Sequence, residues 1–317
     1  MKPEYLHYIG IALSIAIAAI GTGLAQGYAS SGIMRAMSRQ EMGGDAIRRA
    51  LMIGLVFIES GAILALVLSF FLLTHEFSVI TFPIGLVHCS MGICMGFVTA
   101  VMALASGCAV VAAAESIARQ PAFSQKILSF MMISQTFIEA PVILAFVLLL
   151  IINTNIEESI SLAEAIKLSI AASGIAVGAI GPAIAQSYFS AASGRAIGLD
   201  RNAYGRIFSF SLLTQAIIET PVIFVLISTL FVIFKVLPPV GTFTTVYSLL
   251  PALLVVSVGT SSAAIGVSAV ASKSCRLIAL DASLYTRIFR TSFIAQAFIE
   301  SCGIYALVVG LLMILRA

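Results

Sequence analysis

Eight long apolar runs leave this chain almost nothing to place in water. They cover residues 8–34, 50–74, 77–114, 127–153, 168–194, 207–234, 236–272 and 288–315. Only Arg290, near the start of the last run, and a single carboxylate in each even-numbered run introduce formal charge. Roughly 20 apolar residues, rising 1.5 Å each, cross a hydrocarbon layer of about 30 Å. With only 10% of its 317 residues charged, the chain is far from a soluble domain, where charged residues approach a quarter. The expected fold class is an all-α membrane protein of eight transmembrane helices, with little sequence left for an aqueous domain.

The basic residues say which connections share a side. Thirteen of the seventeen Lys and Arg lie in or beside the connections from odd to even runs, among them Arg35, Arg39, Arg48, Arg49, Arg119, Lys126, Arg195 and Arg276. By the positive-inside rule these four loops are cytoplasmic and both termini face the other side. The opposite connections carry His75, Glu76, Glu157, Glu158 and Glu164. The opening segment has the look of a leader, but the same pattern recurs downstream, so it reads as the first span. Cys89, Cys94, Cys108, Cys275 and Cys302 lack metal-ligand spacing and read as small buried hydrophobes. His7, His75 and His88, near helix ends, read as interfacial.

The repeat carries most of the information. One carboxylate stands alone in the middle of every even-numbered run: Glu59, Glu139, Glu219 and Glu300, separated by 80, 80 and 81 residues. An apolar pair precedes each and a small residue follows it. One turn earlier on the same face stand Gln135, Gln215 and Gln296, with Leu55 in the first unit. Such a period marks a fourfold duplication, with hairpins at 1–76, 77–156, 157–236 and 237–317. The odd-numbered runs carry ladders of small residues four apart. Examples are Ala19, Gly23, Gly27 and Ser31, then Thr99, Ala103 and Gly107, then Ala179, Ala183, Ser187 and Ala191, then Thr260, Ala264, Ser268 and Ser272. Small residues let helix backbones approach closely in lipid. Four equivalent seams point to one tightly packed inner circle.

A carboxylate at mid-membrane costs several kcal/mol, about 2.5 or more on the most lenient scales, and is functional by default. No Lys or Arg lies in the core of any run to pair with it. Such a group is either neutral or neutralised by a bound cation, and it exchanges one ion wherever it meets an aqueous path. Polar residues at matching depth form the expected coordinating shell. On the odd helices these are Gln26, Ser106 and Gln186, with Val267 in the fourth unit. On the even helices they are Ser60, Thr220 and Ser301, with Ala140 in the second unit, together with Gln135, Gln215 and Gln296. No catalytic residue is expected, and no phosphate-binding Gly-x-x-x-x-Gly-Lys-Ser/Thr motif is present.

The segments Gly21-Thr22-Gly23-Leu24-Ala25-Gln26-Gly27-Tyr28-Ala29, Glu59-Ser60-Gly61 and Glu115-Ser116-Ile117-Ala118-Arg119-Gln120-Pro121 resemble the rotor-ring proteolipid, or c-subunit, of F-type ATP synthases. So does Glu300-Ser301-Cys302-Gly303-Ile304-Tyr305-Ala306-Leu307. The Arg-Gln-Pro loop persists as Arg39-Gln40 in the first unit and is lost in the third and fourth. The family has one hairpin per chain, so four fused hairpins depart from its pattern. The resemblance implies a rotor ring in a bacterial-type inner membrane whose carboxyls carry ions past the membrane part of the stator. Loop residues Arg39, Gln40, Arg119, Gln120 and Pro121 would then face the central stalk. The implied partners are further copies of the chain, the a-subunit of the stator, stalk subunits and lipid, with no nucleic acid. No cofactor is implied beyond the transported ion.

The ion is a proton or sodium. Sodium-binding members resemble the combination of Gln26, Ser60 or Ser301, and Tyr305. Sodium needs several oxygen ligands at every site, and Ala140 and Val267 thin the set, so the reading favours protons. Two alternatives differ in kind. A repeat-built secondary transporter would show inverted repeats and broken helices, for which Pro141, Pro182 and Pro221 are candidates. A V-type proteolipid shares the mechanism, but a carboxyl in every hairpin and the Arg-Gln-Pro loop speak against it. Head-to-tail contact between fourth and first hairpins should close a ring, with about three chains expected. The junction is expected to bring Gln26 to Glu300, Ser301 and Tyr305.

Overall fold

In lipid every backbone polar group must be satisfied within the chain, and a helix does so locally. A computed structural model describes residues 3–74, 79–238 and 242–317, so His75 and Glu76 lie outside the described residues. The described residues form eight long helices: α1 Pro3–Arg39, α2 Gly44–Thr74, α3 Phe82–Arg119, α4 Ser124–Thr154, α5 Leu162–Leu199, α6 Tyr204–Ile233, α7 Thr242–Leu280 and α8 Tyr285–Arg316. All eight are long and apolar enough to cross a membrane. At 1.5 Å per residue even the shortest exceeds the hydrocarbon thickness of about 30 Å. The chain is an integral membrane protein.

The odd-to-even joints are built alike. A single residue in non-helical conformation (Gln40, Gln120, Asp200 or Asp281) leads into a three-residue 3₁₀ turn and then straight into the next helix. Asp200 and Asp281 cap their turns, each accepting a 2.9 Å hydrogen bond on Oδ1 from the backbone N–H of Asn202 and Ser283 respectively. The Ser283 hydrogen bonds hold the Asp281 carboxyl below its ordinary value. Gln120 instead reaches sideways, its Nε2 donating to Gly198 O at 3.0 Å and tying the second joint to the third hairpin. At the opposite end Lys167 Nζ donates to Lys235 O (2.9 Å) and Lys235 Nζ to Ile314 O (2.7 Å), closing carbonyls that helix ends leave unpaired.

The helices form two rows. In the first, α1, α3, α5 and α7 lie side by side; in the second, α2, α4, α6 and α8 do the same, each beside its own odd partner. The odd row packs on bare backbone. A methyl at Gly92 would fall on the carbonyl oxygen of Gly10, and one at Gly21 on the backbone of Ala100. Hydroxyls stitch the same seams: Ser116 Oγ donates to Gly194 O (2.9 Å), Ser257 Oγ to Gly174 O (3.0 Å) and Ser268 Oγ to Ala185 O (2.8 Å). The small-residue ladders behave differently by position. Ala103, Ala183 and Ala264 are buried, whereas Ala19, Gly23, Gly27 and Ser31 of α1 are exposed, and no atom stands where a Cβ on Gly23 or Gly27 would reach. This is the open edge of the odd row.

Two expectations need correction. Pro141, Pro182 and Pro221 do not break their helices, since α4, α5 and α6 run through them. His7 and His88 are not interfacial side chains but a buried pair, Nδ1 to Nδ1 at 2.6 Å, in the α1–α3 seam. Of the cysteines, Cys94 and Cys275 are buried, Cys89 and Cys108 are half-buried, and Cys302 is exposed.

Candidate functional site

Each of the four glutamates is the sixteenth residue of its helix, counting from Gly44, Ser124, Tyr204 and Tyr285. The equal count follows from the identical joints and places all four about 24 Å from the joint end, near the middle of the helix. The buried apolar residues fall into two clusters, one nearer the joints and one farther away, and the glutamate level lies where they meet. Glu59 is exposed, while Glu139, Glu219 and Glu300 are half-buried. The difference comes from the row: α2 stands at its end, and the other three each have an even-numbered neighbour on the preceding side.

That neighbour supplies a hydroxyl. Ser60 Oγ, from the first hairpin, donates to Glu139 Oε1 of the second at 2.7 Å. Thr220 of the third hairpin occupies the equivalent place before Glu300 of the fourth, and its Oγ1 donates to Ala216 O one turn back (3.3 Å). Ala140 occupies the corresponding place before Glu219 and offers no hydroxyl. Ser301 has no further hairpin to face within the chain and donates to Phe298 O (2.7 Å). Tyr305, on the same free side, is 66% exposed.

The glutamine layer is turned inward. Ser106 Oγ donates to Gln135 Oε1 (2.7 Å), and Gln135 Nε2 donates back to Ser106 O (3.2 Å). Gln186 Nε2 donates to Gln215 O (2.9 Å), Gln215 Nε2 to Ser134 Oγ (2.9 Å), and Gln296 Nε2 to Ser292 Oγ (3.0 Å). Gln135 and Gln186 therefore join odd to even helices within a hairpin, and Gln215 braces the second and third hairpins. The Gln296–Ser292 bond lies within α8, while Gln296 Oε1 accepts from Thr214 Oγ1 of the third hairpin (3.5 Å), and none of these bonds reaches a glutamate. Gln26 is half-buried and Val267 is buried. Two buried acceptors in the third hairpin, Gln186 Oε1 and Gln215 Oε1, make no hydrogen bond to described residues. They accompany Glu219, the glutamate that faces Ala140.

The amide pairing of Ser106 with Gln135 and of Gln186 with Gln215 runs within a hairpin. The expected approach of Gln26 to Glu300 belongs to a junction between copies and lies outside the single chain. Sequence reasoning missed Ser134 and Ser292, because a serine in an apolar helix most often bonds its own backbone and carries no visible mark of a cross-helix role. At the joints, Arg39 and Arg119 are exposed, and Gln40, Gln120 and Pro121 are half-buried.

Among known proteins, the ATP synthase C-subunit family matches residues 9–72, 89–152 and 250–313. The ATP synthase c-subunit 2 of Pelobacter propionicus is 40% identical over 65 residues, a stretch that is 20% of this chain and 71% of that protein. The ATP synthase c-subunit of Thermosynechococcus vestitus is 41% identical over 66 residues, or 20% and 80% of the two chains. The ATP synthase c-subunit 2 of Cereibacter sphaeroides is 35% identical over 76 residues, or 23% and 92%. Each relative thus corresponds to about one hairpin. No solved structure matches the chain.

Proposed function

The chain belongs to the ATP synthase C-subunit family, and from that premise we propose that it is the ion-carrying rotor of a rotary ATP synthase, four sites to the chain. One observation carries the reading: a lone carboxyl recurs at the same depth in each of four hairpins, and a hydroxyl from the preceding hairpin reaches Glu139. A neutralised carboxyl can pass through lipid and an ionised one cannot, so loading and unloading an ion sets when a site can leave the stator. Glu59, Glu139, Glu219 and Glu300 bind the ion. Ser60 orients the Glu139 carboxyl it touches, and Thr220 stands in the equivalent place before Glu300. The joints, with exposed Arg39 and Arg119, face the central stalk on the cytoplasmic side.

The first site is incomplete in a single chain. Glu59 stands at the open end of the even row and Ser301 at the other. Extending the Ser60–Glu139 register from α8 of one copy to α2 of the next places Ser301 beside Glu59, with Tyr305 on the same side. This supports a closed head-to-tail ring, in which the stator's a-subunit meets the even row.

The coupling ion is a proton in this reading. Sodium demands several oxygen ligands at every site, and Ala140 and Val267 remove two of them. The unpartnered Gln186 Oε1 and Gln215 Oε1 favour the sodium alternative at the third site, where they are oxygens free to coordinate. Carbodiimide labelling of the purified ring at controlled pH separates the two. Proton coupling requires all four glutamates to react at rates set by pH and indifferent to sodium. Protection by millimolar sodium would sink the proton assignment, and failure of any glutamate to react would sink the four-site reading.

A further inference from the structure

The face of the odd row turned away from the even helices carries two cavities that share a wall. On α5, Gln186 faces α6, and Tyr188, two residues or about 200° further round the helix, points the other way. Near the joints a cavity of about 430 Å³ is bordered by Arg119, Arg195, Lys273 and Arg276. Deeper in the membrane lies a second cavity of about 430 Å³, walled by Val101, Leu104, Ala105 and Ile184 and topped by Tyr28. Tyr188, Ala191 and Arg195 line both. The two therefore form one groove, cationic at the joint end and apolar toward the midplane.

Charge balance singles out this groove. Arg195 Nε pairs with Glu115 Oε2 at 2.7 Å, so one of the four cations is matched. Among the described residues Arg119, Lys273 and Arg276 make no ion pair. The seam of the first two hairpins differs, because there Glu115 itself lines a smaller cavity of about 170 Å³ with Arg35, Arg39 and Arg119. The repeat explains the contrast: the equivalent positions are Arg35, Glu115, Arg195 and Arg276, and the acidic one falls in the second hairpin. Depth fits as well. Tyr188 lies seven residues from Arg195, or about 10 Å deeper along α5, and Ile184 about 6 Å beyond it. Cation, aromatic and aliphatic follow in the order of a lipid leaflet's headgroup, interface and chains.

We propose that this groove binds a lipid with an anionic phosphate headgroup. The headgroup lies among Arg119, Arg195, Lys273 and Arg276, and an acyl chain lies along Leu104 and Ile184. Basic pockets between membrane helices suit such headgroups, and the apolar half of the groove distinguishes a lipid from free phosphate. The proposal rests on the membrane-embedded fold and not on ion coupling, so it stands or falls separately.

The test is native mass spectrometry of the full-length protein released from nanodiscs of phosphatidylglycerol or phosphatidylcholine. The wild type should retain phosphatidylglycerol in preference to phosphatidylcholine, and millimolar inorganic phosphate should not displace it. The double variant Lys273→Gln/Arg276→Gln should weaken retention about tenfold or more, while Arg48→Gln, on the exposed end of α2, should leave it unchanged. Equal retention of the two lipids, displacement by phosphate, or a double variant that folds and retains the lipid as the wild type does would each overturn the proposal. If the double variant fails to insert, the wild-type comparison of the two lipids decides alone.

Discussion

At the scale of single residues the four glutamates are alike in position and unlike in company. Replacing any one of Glu59, Glu139, Glu219 or Glu300 by Gln should abolish ion-driven ATP synthesis, since a permanently neutral site cannot release its ion. ATP hydrolysis by the detached head should persist, and intact synthesis in any one variant would show that glutamate to be structural. Ser60→Ala removes the 2.7 Å bond to Glu139. A hydrogen bond to a charged group contributes about 1.5–3 kcal/mol, so carbodiimide labelling of Glu139 should change roughly tenfold or more while Glu219, which already faces Ala140, is unaffected. Mass mapping of the labelled peptides checks both. The glutamates themselves were legible because a lone charge in a long apolar run has no bland explanation. Ser60, which directly follows one of them, was legible as a neighbour, and it reaches Glu139. Ser134 was not: nothing local separates it from Ser209, which bonds Gly205 one turn back.

At the scale of helices, packing in lipid depends on how near two backbones can come. Gly21 meets Ala100 and tolerates no side chain, whereas Gly23 meets nothing in the chain. Gly21→Leu should therefore lower the thermal stability of the detergent-purified chain, by about 1–3 kcal/mol or more. Gly23→Leu should leave the single chain's stability within about 0.5 kcal/mol of the wild type. Thermal unfolding followed by circular dichroism distinguishes the two. The ladder was visible in the sequence, but not that its first copy would lie open, because that depends on which helix stands at the end of a row. Helix ends were also underread. The first apolar run stops at residue 34, yet α1 continues to Arg39, since charged residues outside the lipid do not interrupt a helix. The tight joints escaped notice for a similar reason: Gln40 and Asp200 occupy equivalent places, and only the second has a familiar capping side chain.

At the scale of the whole molecule, the proposed head-to-tail ring joins the open ladder on α1 of one copy to α8 of the next, where Ser301 faces no further hairpin of its own chain. Gly23→Leu/Gly27→Leu should yield inserted chains that no longer assemble, while the wild type should give a particle of whole chains, about three in number. Mass photometry in detergent reads this directly. A stable monomeric wild type, or an unaltered ring in the double variant, would defeat the head-to-tail arrangement. Covalent fusion has a further effect. The residue that follows each glutamate comes in the fixed order Ser60, Ala140, Thr220 and Ser301, three with a hydroxyl and one without. A ring of such chains cannot shuffle its sites, so the energy profile felt during one revolution repeats only every fourth step. Its angular landscape is a ratchet with teeth of unequal depth, and dwell times recorded from single rotors should carry a rhythm of four.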